Sequence, residues 1–230
     1  TVIFQNKIID VVNSDVHLGC VLGNITNKDR IQVGVKDFIS KVTHLKCHFK
    51  RLPIDMMYSL FKTHCMPLYS SALWDLTSNT IENFYVTWRK SIRSVLGLPY
   101  RTHSNILPYI CNDLPVVGQL HVRFHKFLQS IAFSRNKIVS FCACLALNGS
   151  GSNVSNNISS LSQILQCSRL QVCTTSNSII QSIYFSNVNQ DLLSNASLVR
   201  DLIDMLYDSN LHDDLNADDI YFMMNYICTN

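Results

Sequence analysis

Apolar residues return every third or fourth position along much of this chain. Ile31, Val35, Phe38, Val42, Leu45 and Phe49 form one such series, and Met57, Leu60, Phe61, Cys65 and Leu68 a second. Ile81, Phe84, Tyr85, Trp88, Ile92 and Val95 form a third. A strand turns alternate side chains to opposite faces, so this spacing belongs to helices with one buried stripe. It predicts a helix from the caps at Asn27 or Asp29 to about Arg51, a second over 54–72 and a third over 78–96. Pro53 ends the first and opens the second, Pro67 calls for a kink or an early stop, and Gly97 with Pro99 closes the third. Shorter helices are expected near 103–111, 116–134 and 136–147. Before Asn24 the pattern changes to β-branched runs, Val2-Ile3-Phe4, Ile8 to Val12 and Val16 to Leu22, which read as strands. Gly19 and Gly23 in the last run mark a bulge or a close backbone approach.

The expected class is therefore mainly α: a helical bundle preceded by a short antiparallel β hairpin, with a smaller C-terminal helical region. Asn148 to Ser160 is rich in Gly, Ser and Asn and carries no charge, which reads as a linker. Amphipathic segments near 158–167, 176–186, 191–208 and 217–228 follow it. The domain reading is 1–23 for the β hairpin, 24–147 for a basic helical region, 148–160 for the linker and 161–230 for an acidic helical tail.

Charge divides along the same line. Residues 1–147 hold 17 Lys/Arg against 8 acids, and residues 148–230 hold Arg169 and Arg200 against 8 Asp, so +9 and −6 make up the net +3. A basic region suits phosphate backbones and an acidic one repels them. With 47% hydrophobic and 15% charged residues the chain is too apolar to be disordered. No run of eighteen apolar residues occurs, so no membrane span and no membrane partner are expected. Thr1 at the start, with no leader after it, is the expected mark of a piece of something longer.

Nine cysteines without a repeating spacing read as small core hydrophobes in a reducing, intracellular compartment, cytoplasmic or nuclear. His44/His48 and His121/His125 are i,i+4 pairs, but no His-Glu-x-x-His or Cys-x-x-Cys partner accompanies them. They read as histidines on half-buried faces, so no metal site is assigned. The four cysteines Cys142, Cys144, Cys167 and Cys173 are likewise not read as a metal site. There is no Gly-x-Ser-x-Gly elbow and no Gly-rich phosphate loop. No catalytic residue is assigned.

Several short motifs follow in a fixed order. His17-Leu18-Gly19 ends a strand pair ahead of a long basic helix. Phe61-Lys62-Thr63-His64-Cys65 and Leu68-Tyr69-Ser70-Ser71-Ala72-Leu73-Trp74 come next. Trp88-Arg89-Lys90-Ser91-Ile92-Arg93, Gly97-Leu98-Pro99 and Thr102-His103-Ser104 complete the set. Over residues 7–147 this order resembles the thumb and downstream region of non-LTR retrotransposon (LINE-type, Jockey-like) reverse transcriptases.

The resemblance implies a C-terminal fragment of an RNA-directed DNA polymerase that lacks the catalytic palm. Its partners would be an RNA/DNA template–primer and the remainder of the reverse transcriptase. It would carry no cofactor, since the magnesium ions belong to carboxylates on the missing palm. His17, Leu18 and Gly19 would form a primer-grip-like hairpin. Lys36, Lys41, Lys46, Lys50 and Arg51, then Arg89, Lys90 and Arg93, would contact the nucleic-acid backbone without reading sequence. Ala217-Asp218-Asp219 looks like the polymerase signature but follows the Leu-Gly pair, and it reads as acids at a helix start. The alternatives are a non-catalytic helical protein-interaction module or a non-functional relic of a mobile element.

Overall fold

The computed structural model describes residues 2–4, 7–9, 14–17, 20–23, 25–49, 52–149 and 151–194. The chain is mainly helical, and among the described residues β structure is confined to the start. Strands β1 (Val2–Phe4) and β2 (Lys7–Ile9) pair antiparallel, Val2 opposite Ile9. Strands β3 (Ser14–His17) and β4 (Cys20–Gly23) form a second antiparallel pair, Ser14 opposite Gly23 and His17 opposite Cys20. The expected third strand, Val16 to Leu22, is thus divided between β3 and β4.

Helix α1 spans Asn27–His48. The Thr26 hydroxyl accepts from the Asp29 amide at 3.2 Å, capping the first turn, while the Asp29 carboxylate suits the positive end of the helix. Ile31, Phe38, Val42 and Leu45 are buried as their spacing requires. Phe49, expected to continue that stripe, is exposed, because the helix ends one residue earlier and the backbone turns away. Helix α2 (Ile54–Leu60) begins after Pro53 and continues as a single π turn, Phe61–Cys65. It stops at Met66, where the following Pro67 restricts the backbone and removes a donor. The expected helix over 54–72 is therefore shorter.

A 3-10 turn at Asn79–Ile81 leads into α3 (Glu82–Val95). All six expected inward residues, Ile81, Phe84, Tyr85, Trp88, Ile92 and Val95, are buried. Gly97 follows at φ +68°, the left-handed stop that a glycine permits. Helix α1 and helix α3 run parallel. At one end Asn27 Nδ2 donates to Thr80 Oγ1, and at the other Lys46 Nζ donates to Ser94 Oγ. Helices α4 (Leu107–Ile110), α5 (Val116–Ala132) and α6 (Lys137–Leu147) follow, the last capped by Asn136 Oδ1 accepting from the Ile138 amide.

The linker expectation fails. Asn153–Ile164 is a helix, α7, capped by the Ser152 hydroxyl, with Ile158 and Leu161 fully buried. Its polar residues are used inside. Buried Asn157 accepts from the Leu76 amide at 2.8 Å and donates to the Trp74 carbonyl at 2.7 Å. Helix α8 (Arg169–Thr174) opens on a capping box of Ser168 and Gln171, and α9 (Asn177–Ser194) lies antiparallel along α5.

One main core joins the helices from α1 to α8, and a smaller cluster of Leu114, Val122 and Ile180 seats α9. Phe38 meets Phe61 and Phe84 edge-on at 5.8 and 5.4 Å, and Trp74 meets Phe84 at 5.3 Å. The same cluster extends through Leu120, Phe124 and Leu128 to Ile158, Leu161 and Val172. Residues 153–173 therefore share the core of the preceding helices. Seven of the eight aspartates behind the acidic-tail reading, Asp201 to Asp219, lie outside the described residues. Among the described residues no helix is long and apolar enough to cross a membrane.

Candidate nucleic-acid interface

The basic residues of α1 do not share one fate. Lys36 is exposed, with no ion pair among the described residues. Lys41 is half-buried and occupied: its ammonium pairs with Asp37 at 2.7 Å, donates to the Pro67 carbonyl at 3.3 Å and lies 5.8 Å from the centre of the Tyr69 ring. Lys46 is exposed and reaches across to Ser94 on α3. Lys50 and Arg51 lie outside the described residues.

On α3 the expected outward cluster divides in the same way. Lys90 is exposed. Arg89 pairs with Glu82 at 2.5 Å, so its charge is already met by a carboxylate of its own helix. Arg93 turns back onto the protein. It donates to the Thr102 carbonyl at 2.8 Å, to Ser104 Oγ at 2.9 Å and to the Arg89 carbonyl at 3.2 Å. Burial and the neighbouring Arg89 guanidinium both press its pKa down. Arg93 is a clamp on the loop after α3, which corrects its reading as an outward phosphate contact.

Parallel packing of α1 on α3 sets the remaining groups at one end of the bundle. Lys46 contacts Ser94, and Lys90 lies one helical turn before Ser94 on the same face. Sequence reasoning missed two features near this end. Tyr100 and Arg101 are both exposed, and the Arg101 guanidinium sits 5.4 Å from the centre of the Tyr100 ring. His44, His48 and His64 also adjoin one another, with ring centres 4.2 Å apart for 44–48 and 5.7 Å for 44–64. Only the i,i+4 pair was visible in the sequence, because His64 arrives through tertiary packing of the π turn. Among the described residues no group of three His, Cys, Asp or Glu side chains is arranged to hold a metal ion.

His17 ends β3 opposite Cys20, while Leu18 and Gly19 lie outside the described residues. The cysteines are mixed. Cys65, Cys111 and Cys173 are buried as small hydrophobes, but Cys47, Cys142 and Cys144 are exposed. Burial pushes the Cys65 thiol up to about 11 and Cys111 to about 12, so both are held protonated. Part-buried Asp113 accepts from the Tyr58 hydroxyl at 2.9 Å and pairs with Lys62 at 2.6 Å. Desolvation, with Cys111 and Asp113 nearby, raises the Tyr58 pKa and keeps its hydroxyl a donor. That network joins α2 to the segment ahead of α5, which is a fold-bracing role.

No family model, curated protein or solved structure matches the chain.

Proposed function

We propose that the chain is a non-catalytic piece of an RNA-directed DNA polymerase of the non-LTR retrotransposon type, and that it holds a template–primer duplex by its backbone. The ordered motifs over residues 7–147 support the family reading. The observation that carries the binding role is the convergence of exposed Lys46 and Lys90 where α1 and α3 end together. Lys36 lies further back along α1, and Tyr100 with Arg101 offers a ring and a cation of the sort that stack on bases. Lys41, Arg89 and Arg93 add little, since each is engaged within the protein. Magnesium would belong to the absent palm, and this chain supplies no carboxylate role for it.

Three exposed lysines, Lys36, Lys46 and Lys90, set a modest scale. Each phosphate neutralised contributes about −0.9 to the slope of log K against log salt, so a slope of about −3 is expected. Fluorescence anisotropy of a labelled RNA–DNA duplex between 50 and 200 mM salt measures it. Lys36→Glu, Lys46→Glu and Lys90→Glu together should abolish binding, while Lys41→Glu alone should change it little. Template–primer, deoxynucleotides and magnesium should yield no extension product, and robust extension would refute the non-catalytic reading.

A second reading has its own observation. Ile138, Phe141 and Leu145 are exposed at i, i+3 and i+7 along α6, and Ile138 is 74% accessible. A helix face of this kind suits a helical interaction module. Undetectable duplex binding at low salt would favour that reading over the first.

A further inference from the structure

Helix α6 is built inside out. Its buried residues are the small Ala143 and Ala146, while the large Ile138, Phe141 and Leu145 are exposed. Lys137, at its first position, is its single charged residue. A helix on a finished surface keeps its large apolar side chains against the core and its charges outside, so this one carries a face that lacks its partner. Helical spacing puts Ile138, Phe141, Cys142 and Leu145 on one stripe about 100° wide. Phe133 is exposed in the turn before α6, and Leu170 near its other end, next to the Arg169 that donates to the Ala146 carbonyl. These five large side chains are 47–74% exposed. At about 200 Å² for a large apolar side chain, they offer about 600 Å² per copy. Two such faces together bury about 1,200 Å², the lower bound for a specific interface.

Symmetry and charge identify the occupant as a second copy of this chain. Ile138 and Leu145 lie equally far from a centre between Phe141 and Cys142, so the stripe is self-complementary. Two copies laid antiparallel put Ile138 against Leu145 of the partner subunit and Phe141 against Cys142 of the partner subunit, as a two-fold interface requires. This arrangement also holds the two Lys137 residues about 13 Å apart along the axis at 1.5 Å per residue, beyond the screening length of about 10 Å. A parallel pair would set them side by side. No Asp or Glu occurs from residue 114 to residue 190, so the attraction is apolar and not ionic. We propose that α6 is the self-association face of this chain, forming a two-fold antiparallel α6–α6 pair centred between Phe141 and Cys142. The pairing names the partner for the helical interaction module described above and rests on that reading, not on duplex binding.

Sedimentation velocity of the full chain tests the pairing. An interface of this size should give a monomer–dimer equilibrium with a Kd of about 10–100 μM. Raising salt from about 50 to about 500 mM should leave it unchanged within about twofold. Phe141→Asp should weaken association at least about tenfold. Since Phe141 is exposed, circular dichroism of that variant should match the natural chain. A chain still monomeric at about 300 μM, dimers that dissolve as salt rises, or equal association by Phe141→Asp would each overturn the proposal.

A short bismaleimide, which adds one thiol to each of its two rings, locates the axis. It should join Cys142 to Cys142 of the partner subunit, with the crosslinked dimer lost in Cys142→Ser and kept in Cys47→Ser and Cys144→Ser. All three thiols are exposed, so links that favour Cys47 or Cys144 would also overturn the pairing. Duplex anisotropy on the same samples separates the readings. A dimer that binds no duplex supports the pairing and refutes the nucleic-acid reading. A monomer that binds duplex overturns both the pairing and the interaction module, and a monomer that binds none overturns the pairing and leaves that module with a different partner.

Discussion

Gly34 on α1 faces the indole of Trp74, so close that a Cβ at this position would stand 2.3 Å from Cζ2 and 2.9 Å from Cη2. Trp74 is fully buried against Phe84 and has no free direction in which to move. Alanine would normally help a helix interior by about 1 kcal/mol relative to glycine. Here the clash costs more, about 1–3 kcal/mol or above, as overpacked cores do. Gly34→Ala should lower the urea midpoint, and an unchanged or raised midpoint would mean that the α1–Trp74 contact is looser than described.

Asn157 bridges two backbone groups of the segment it packs against, the Trp74 carbonyl and the Leu76 amide. Asn157→Ala leaves both without a partner and away from water, at a cost of about 2–4 kcal/mol. Its neighbour Asn156 bonds the Asp75 carboxylate in a part-exposed position, so Asn156→Ala should cost less than about 1 kcal/mol. Thermal unfolding of the two variants, compared at one pH, measures the difference. Equal losses would contradict the internal role of α7.

Burial pushes the His121 imidazole down to about 4, and the Tyr184 hydroxyl meets its Nδ1. In an unfolded chain the imidazole titrates near its ordinary value of about 6.5. Between those two values the unfolded chain takes up a proton that the folded chain refuses. Stability should therefore fall as pH drops from about 6.5 towards 4, by up to about 3 kcal/mol, and be level above about 7. Urea midpoints at pH 7.5 and pH 5 for the natural chain and for His121→Asn test this. The variant should show the shallower dependence, and identical slopes would remove His121 as the cause.

Arg93 and Lys90 should respond in opposite ways. Arg93→Ala removes the bonds to Thr102, Ser104 and the Arg89 carbonyl and should cost about 1–2 kcal/mol, with little effect on duplex affinity beyond the change in folded fraction. Lys90→Ala should change stability by no more than about 0.5 kcal/mol and should reduce the salt slope by about one. A calorimetric scan paired with an anisotropy titration separates the two residues.

Spacing alone located α1, α3, α5 and α6 to within a few residues, because each has a clear apolar stripe and a recognisable stop. The first half of helix α7 was hidden by composition, while its second half falls in the amphipathic segment expected near 158–167. Its Asn and Ser residues were read as loop formers, although Asn157 and Ser155 are buried and hydrogen-bonded. A weaker signal was present, since Val154, Ile158, Leu161 and Leu165 keep the helical spacing. The basic site was legible only in part. Sequence can show that Arg93 belongs to a helical cluster of cations, but the loop that draws it inward is a tertiary neighbour. Arg101 was missed for the same reason, as was the packing of His64 beside His44.

Because α1 and α3 run side by side in one direction, their peptide dipoles add. Each helix brings roughly half a unit of negative charge to its last turn, and here both lie at one end of the bundle. Lys46, His48 and Arg93 stand in those last turns. Much of the positive charge at this end therefore neutralises the protein's own carbonyls before any polyanion arrives. A charge reversal such as Lys46→Glu should accordingly weaken the fold as well as the grip.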